Sequence, residues 1–194
     1  MVTFFWCGVL KLILLTTSRR PTGRIRTFCR DLACSIPDVV RVNRGKMSQD
    51  GVAEKAIELE ADRVIIVDRW HGGPGKASLF LLSSTGLKPV PPLMLMSGIR
   101  LRRELKEGTS RVRSSVITLE PKSSREIERT AGRLSQYFGL PVLSLDEACE
   151  NHHASMHLSF DSSRRLQVTF MLLSRMLEVG PRLTVSRLIW EVPS

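Results

Sequence analysis

The chain has 194 residues, 42% apolar and 25% charged, enough for one large domain or two small ones; a disordered tail and a disulfide-held miniprotein are excluded. Lysine and arginine outnumber aspartate and glutamate by 29 to 19, and 22 of the 29 are arginines. Arginine offers a planar fork matched to phosphate and stacks on bases, so the excess points to a polyanionic partner.

Residues 2–15, VTFFWCGVLKLILL, are nearly all apolar, with Lys11 as the interruption. A spanning helix needs about 20 apolar residues, and the run lacks the basic leader and small-residue cleavage site of a signal peptide. It reads as a buried strand, Leu12–Thr17, preceded by an apolar extension at residues 1–11, with no membrane association. The loop Ser18–Pro21 follows. Pro21 suits a helix start, and Ile25, Phe28 and Leu32 fall on one helical face. Arg24 and Arg30 lie off that stripe and should face solvent or a ligand. Pro37 closes the helix region, and Val39–Val42 is a second strand.

Asn43–Lys46 reads as a turn, and Ser48 as the cap of a helix carrying Val52, Ala56 and Leu59. Val64–Val67 is a fully apolar strand, His71–Gly75 a glycine-rich hairpin loop, and Ala77–Leu82 the returning strand. Ser83–Gly86 turns again, and Leu87–Pro92 is a proline-broken link. Beyond it, Ser115–Leu119 reads as a strand. Ser123 and Glu126 have capping-box spacing ahead of a helix face at Ile127, Ala131, Leu134 and Phe138. Gly139 stops that helix, and Val142–Leu145 looks extended. Met156–Phe160, Leu166–Leu173 and Leu183–Val192 read as strands, with turns at Asp161–Arg164 and Gly180–Pro181.

The order strand, helix, proline, short strand occurs twice, from Leu15 to Pro37 and from Ile117 to Pro141. This predicts an α/β fold of two similar strand–helix–strand halves, about 12–92 and 93–192. Such units are common, so two unrelated units remain the alternative.

Charge is focused at one end. Residues 1–46 carry nine basic groups against Asp31 and Asp38, a net +7, whereas the other 148 residues carry a net +3. Such focusing marks a docking face. The four cysteines, at 7, 29, 34 and 149, form no CxxC pair and read as reduced thiols of an intracellular protein.

Two glycine-rich stretches fail as phosphate loops. Gly72–Ser78 has Trp70 and Ala77, and Gly45–Ser48 has Val40, at positions that the pattern reserves for other residues. Cys149, His152, His153 and His157 lack the paired spacing of a structural zinc site. No G-x-S-x-G nucleophile occurs, and the acid pairs Glu58/Glu60 and Asp146/Glu147 sit where solvated helix ends or turns are expected. No catalysis, metal, cofactor or small-molecule substrate is expected.

The strongest constellation is Thr16-Thr17-Ser18-Arg19-Arg20-Pro21-Thr22-Gly23-Arg24-Ile25-Arg26-Thr27-Phe28. It sets hydroxyl side chains, a strand end and a helix N-terminus beside four arginines; exposed N–H groups and hydroxyls bind phosphate, and arginines add bidentate contacts. A solvated basic turn is the plain alternative. Asn43-Arg44-Gly45-Lys46 ends the next strand. If the two strands are parallel, both loops open on one edge. Ser18, Arg19, Arg20, Arg24, Arg26, Asn43, Arg44 and Lys46 are therefore the candidate polyanion-binding residues.

These residues resemble the opening pattern of the Brix-domain family of ribosome-biogenesis proteins, T-T-S-R-x-P-S-x-R-x-R-x-F and then R-x-N-R-G, the latter present as Arg41-Val42-Asn43-Arg44-Gly45. The family's closing pattern is similar to Glu178-Val179-Gly180-Pro181-Arg182. Asp62–Val67 with His71-Gly72 resembles its D-x-V-I-V strand and H-x-G turn, and Tyr137–Val142 its F-P-x-P helix end. The resemblance covers about Leu12 to Val192 and is nearest the subfamily acting with a small nucleolar RNP in the small-subunit processome. Thr22 departs from the usual serine, the family's G-P-T element is absent around Met94–Arg100, and residues 1–11 extend beyond the usual start.

The resemblance implies two halves related to the anticodon-binding domain of class IIa tRNA synthetases. It also implies binding of rRNA or pre-rRNA during processing and small-subunit assembly, alongside other ribosome-assembly or small RNP proteins. An archaeal, single-domain, cytoplasmic version is expected (nucleolar if eukaryotic). A stand-alone tRNA-binding module of the same fold is the rival. Gly180, Pro181 and Arg182 are expected to be structural, with Arg182 holding the C-terminal turn against the body.

Overall fold

The computed structural model describes residues 12–70, 73–105 and 113–191. The extension at 1–11, Val192 and the turn residues His71 and Gly72 lie outside the described residues. The first half opens with β1 (Leu12–Thr17), α1 (Gly23–Ser35), β2 (Val39–Arg41), α2 (Gln49–Glu58), β3 (Ala61–Trp70), β4 (Gly73–Ser83) and β5 (Gly86–Arg100). The second holds β6 (Val116–Leu119), α3 (Arg125–Phe138), β7 (Val142–Leu143), α4 (Leu145–Asn151), β8 (Ala154–Phe160) and β9 (Leu166–Leu172), followed by β10 (Leu177–Glu178) and β11 (Arg182–Ile189). The eleven strands make one sheet in the order β2-β1-β3-β4-β5-β11-β9-β8-β6-β7, with β10 beside β9.

The order repeats with its strand directions. β1 runs parallel to β2 and β3, and β3 antiparallel to β4. Likewise β6 runs parallel to β7 and β8, and β8 antiparallel to β9. The antiparallel pair β5–β11 joins the two series at the centre. A parallel neighbour needs a crossover, and each is supplied by a helix. Side chains of a strand alternate between faces, so Ile13 and Leu15 join α1 and α3 in one large core while Leu14 packs against Val52 and Ala56 of α2 on the other face. Ala148 of α4 packs on Val116, again opposite the large core.

Local signals explain the helices. Thr22, Ser48, Ser124 and Ser144 each accept a hydrogen bond from the backbone N–H three residues on, capping α1, α2, α3 and α4. The α3 cap is thus Ser124, not Ser123, whose hydroxyl donates to the Glu120 carbonyl instead. Gly139 ends α3 at φ +69°, a left-handed cap that glycine adopts at least cost.

Elsewhere the elements depart from the sequence pattern. Leu87–Pro92 is no link but the first part of β5. Pro91 and Pro92 fall where the β4–β5 register slips, and β11 pairs only with β5 residues from Leu93 onward, so these prolines forfeit no ladder bond. The half boundary drawn at 92/93 therefore runs through a continuous strand. Gly73–Gly75 belongs to β4 rather than to a loop, with Gly73 paired to Trp70. The extended segment ends at Leu143: Ser144 and Glu147 form a capping box that starts α4. The three cysteines among the described residues are free, and burial pushes the Cys29 thiol up to about 12, with Arg41 opposing.

Candidate nucleic-acid interface

β1 lies between β2 and β3, and its carboxyl end is tightly held. Thr16 donates through its hydroxyl to the Val42 carbonyl at 2.9 Å, just past β2. The Ser18 N–H donates to the Val67 carbonyl of β3 at 3.0 Å. Because β1, β2 and β3 are parallel, the residues after all three emerge at one edge of the sheet.

That edge holds an open cleft of about 630 Å³ lined by Ser18, Arg19, Arg20, Asp68, Arg69 and Lys76. Four cations and one carboxylate thus share the lining. Asp68 and Lys76 are register partners across β3 and β4, with Lys76 Nζ 3.9 Å from Asp68 Oδ2. Arg19, Arg20 and Arg69 are exposed. The buried Ser18 hydroxyl has no hydrogen-bond partner among the described residues.

Beside the cleft lies the second basic turn, where Gly45 takes φ +54° and Asn43 and Lys46 are exposed. Arg44 differs: it is only 9% exposed, and its Nε donates to the Met47 carbonyl at 2.9 Å. Burial lowers its pKa, Asp68 opposes and Arg19 reinforces, which places this guanidinium in the electrostatic neighbourhood of the cleft.

The other arginines divide. Arg24 closes a bidentate pair with Glu104, at 2.7 and 3.0 Å, and also donates to the Ile99 carbonyl at 3.0 Å. Its fork thus ties α1 to the 3-10 turn at Arg102–Glu104. The hydrogen bond from the Leu101 N–H, then Arg24 itself, holds the Glu104 carboxyl below its usual range. Arg26 is exposed on α1 and outside the cleft lining. The cleft contains three residues that the motif does not contain, Asp68, Arg69 and Lys76. The only sequence signal for them is that β3, parallel to β1, must end at the same edge, where β4 returns beside it.

The Gly180-Pro181-Arg182 turn lies elsewhere. Ser35, the last residue of α1, donates through its hydroxyl to the Gly180 carbonyl at 3.0 Å. Arg182 pairs through both Nε and Nη2 with Glu178. The turn thus joins β11 to α1. Among the described residues no group of three or more histidine, cysteine, aspartate or glutamate side chains could hold a metal ion, and no helix is long and apolar enough to cross a membrane.

No protein-family model matches the chain. Curated relatives do. A probable Brix domain-containing ribosomal biogenesis protein of Methanopyrus kandleri is 31% identical over 180 residues, 87% of this chain and 90% of that one. Its counterpart in Aeropyrum pernix is 33% identical over 103 residues, 53% of this chain; the match spans only 57% of that relative. The crystal structure of a probable ribosomal biogenesis protein from Aeropyrum pernix superposes with a TM-score of 0.74 at 28% identity, covering 90% of this chain and 95% of that one. Mil, an archaeal Imp4-like protein, shares the fold with a TM-score of 0.63 at 22% identity, over 92% of this chain and 99% of that one. With the Methanopyrus relative matched over nearly its whole length, this chain belongs to the Brix domain-containing ribosomal biogenesis proteins.

Proposed function

We propose that the chain is a non-catalytic ribosome-biogenesis factor that binds rRNA or pre-rRNA through the cleft at the carboxyl ends of β1, β2 and β3. The observation that carries this reading is the set Arg19, Arg20, Arg69 and Lys76 lining one open cleft with a single carboxylate, Asp68. Relatives named as ribosomal biogenesis proteins supply the setting, with small-subunit assembly, other assembly-factor partners and the cytoplasm as its finer parts.

In this reading Arg19, Arg20, Arg69 and Lys76 neutralise phosphates. Asn43 and Lys46 extend the surface along the sheet edge. Arg24 and Arg44 act as positioning residues, since each already spends donors within the protein. The repeated strand–helix order is what supports kinship with anticodon-binding domains.

The test is competition. A labelled pre-rRNA fragment is displaced by unlabelled pre-rRNA, by tRNA and by anionic vesicles, with the wild type and with Arg19→Ala/Arg69→Ala. Preference for pre-rRNA and clear loss in the double variant are expected. Equal displacement by tRNA would favour the tRNA-binding module, and an unweakened double variant would remove the cleft from the reading.

A further inference from the structure

The end of β3 away from the basic cleft carries opposite chemistry. Residues 50–62 hold five acids, Asp50, Glu54, Glu58, Glu60 and Asp62, against one base, Lys55. This local net charge of −4 sits within a chain of +10. Among these acids a second cleft, of about 460 Å³, is lined by Ile57, Glu60, Ala61, Asp62 and Leu82.

Its walls are apolar and its rim is acidic. Ile57, on the last turn of α2, is 64% exposed, although an amphipathic helix this short normally turns its isoleucines inward. Leu82 is partly exposed across the cleft and Ala61 is buried between them. Glu60 is exposed on the rim, and Asp62, paired with Arg63 Nε at 3.1 Å, keeps a third of its side chain in solvent. An acidic rim repels a phosphate backbone, so nucleic acid is the wrong occupant for this pole. Exposed isoleucine and leucine beside carboxylates complement a segment with alternating apolar and cationic side chains.

We propose that this cleft docks a lysine- or arginine-rich amphipathic segment of a partner protein. Its apolar side chain fills the space between Ile57 and Leu82, and its cations meet Glu60 and Asp62. β3 connects the two poles: Ala61 lines this cleft, Asp68 and Arg69 line the other, and the ten-residue strand spans about 30 Å. A partner at one end therefore leaves the other free.

The experiment titrates the isotopically labelled full chain with a synthetic peptide alternating Leu/Phe with Lys/Arg. A control peptide carries Glu at every cationic position. Saturable amide shifts at residues 57–62 and 82 are expected with the cationic peptide alone. Ile57→Ser, at an exposed site that the fold tolerates, weakens binding by about tenfold or more, the value of burying one large aliphatic side chain. Glu60→Lys weakens it further, while RNA affinity is unchanged in both variants.

No saturable shift, equal binding of the acidic peptide, or unweakened variants would overturn the proposal. So would peptide binding seen only after residues 1–11 are removed, which would make the chain's own apolar extension the occupant. Shifts at the same residues on raising protein concentration alone would do so too, since they would assign the cleft to a second copy.

Discussion

Arg63 donates through Nη1 to the backbone carbonyl of Tyr137 at 2.6 Å, and Tyr137 donates its hydroxyl to the carbonyl of Val64, the next residue along β3, at 2.9 Å. The two side chains thus clasp α3 of the second half to β3 of the first. Both are buried, at 6% exposure each. Burial raises the Tyr137 hydroxyl well above its usual pKa, which keeps it a protonated donor near neutral pH.

Removing either arm destabilises the whole molecule rather than one half. Tyr137→Phe takes one buried hydrogen bond and is expected to cost about 1 kcal/mol, whereas Arg63→Ala strips a charged donor from a buried carbonyl and is expected to cost about 2–3 kcal/mol. Urea unfolding followed by circular dichroism and by tryptophan fluorescence checks both. Coincident transitions at a lower midpoint are expected, because α1 and α3 share one core. Two separated transitions would show that the halves fold independently.

The closing turn makes a second stability prediction. Gly180 sits at φ +67°, a conformation strained for any L side chain, and a Cβ there would strike Leu105 Cδ1. Gly180→Ala is therefore expected to cost about 1–3 kcal/mol. Arg182→Ala breaks the partly buried two-pronged pair with Glu178 and is expected to cost about 1 kcal/mol. In a domain of this size that lowers the thermal midpoint by about 2–4 °C. RNA affinity should not change in either variant, since the turn rests on Ser35 and not on the cleft.

Much of this architecture was legible, and what escaped has identifiable physical causes. Ile25, Phe28 and Leu32 announce α1 because a 3.6-residue period survives in the sequence, and Thr22 caps it as its hydroxyl allows. Seven-residue α4 is too short to show a period, and only Ser144 with Glu147 betrays it. Pro89, Pro91 and Pro92 argue against a strand until pairing shows that β5 has a bare side there. At the candidate site, Arg19 and Arg20 are local features of a motif. Arg69 and Lys76 join them only through the order of strands in the sheet. The burial of Arg44 and the pairing of Arg24 with Glu104, eighty residues away, depend on packing that no local pattern encodes.

A pH dependence follows from β8. His157 is partly buried, with Nδ1 3.0 Å from Thr118 Oγ1. Burial lowers its pKa below the usual histidine value, with Glu120 opposing. The unfolded chain therefore takes up a proton more readily than the folded one. The stability held above the unfolded histidine pKa, near 6.5, is lost as pH falls through the folded value. Comparing urea midpoints of the wild type and His157→Gln between pH 7.5 and pH 5 isolates this group. The difference should move in the variant's favour as pH drops; parallel curves would show that His157 does not contribute.

The last prediction separates arginines that meet RNA from arginines that hold the protein together. Each phosphate neutralised on a single strand releases counterions and adds about −0.7 to the slope of log affinity against log salt. Arg19, Arg20, Arg69 and Lys76 line the cleft, and Lys46 lies exposed on the adjoining turn. Four or five contacts give a slope of about −3 to −3.5. Arg19→Ala and Arg69→Ala should each flatten it by about 0.7 and weaken binding to all RNAs by a similar factor, because phosphate contacts do not read sequence. Arg24→Ala should leave the slope intact, since its fork is taken by Glu104. Arg44→Ala should lower the thermal midpoint through the lost Met47 contact while leaving the slope nearly unchanged. Affinities at four or more salt concentrations for these variants decide the matter. A slope that flattens with Arg24→Ala but not with Arg69→Ala would move the RNA from the β1–β3 cleft onto the face of α1.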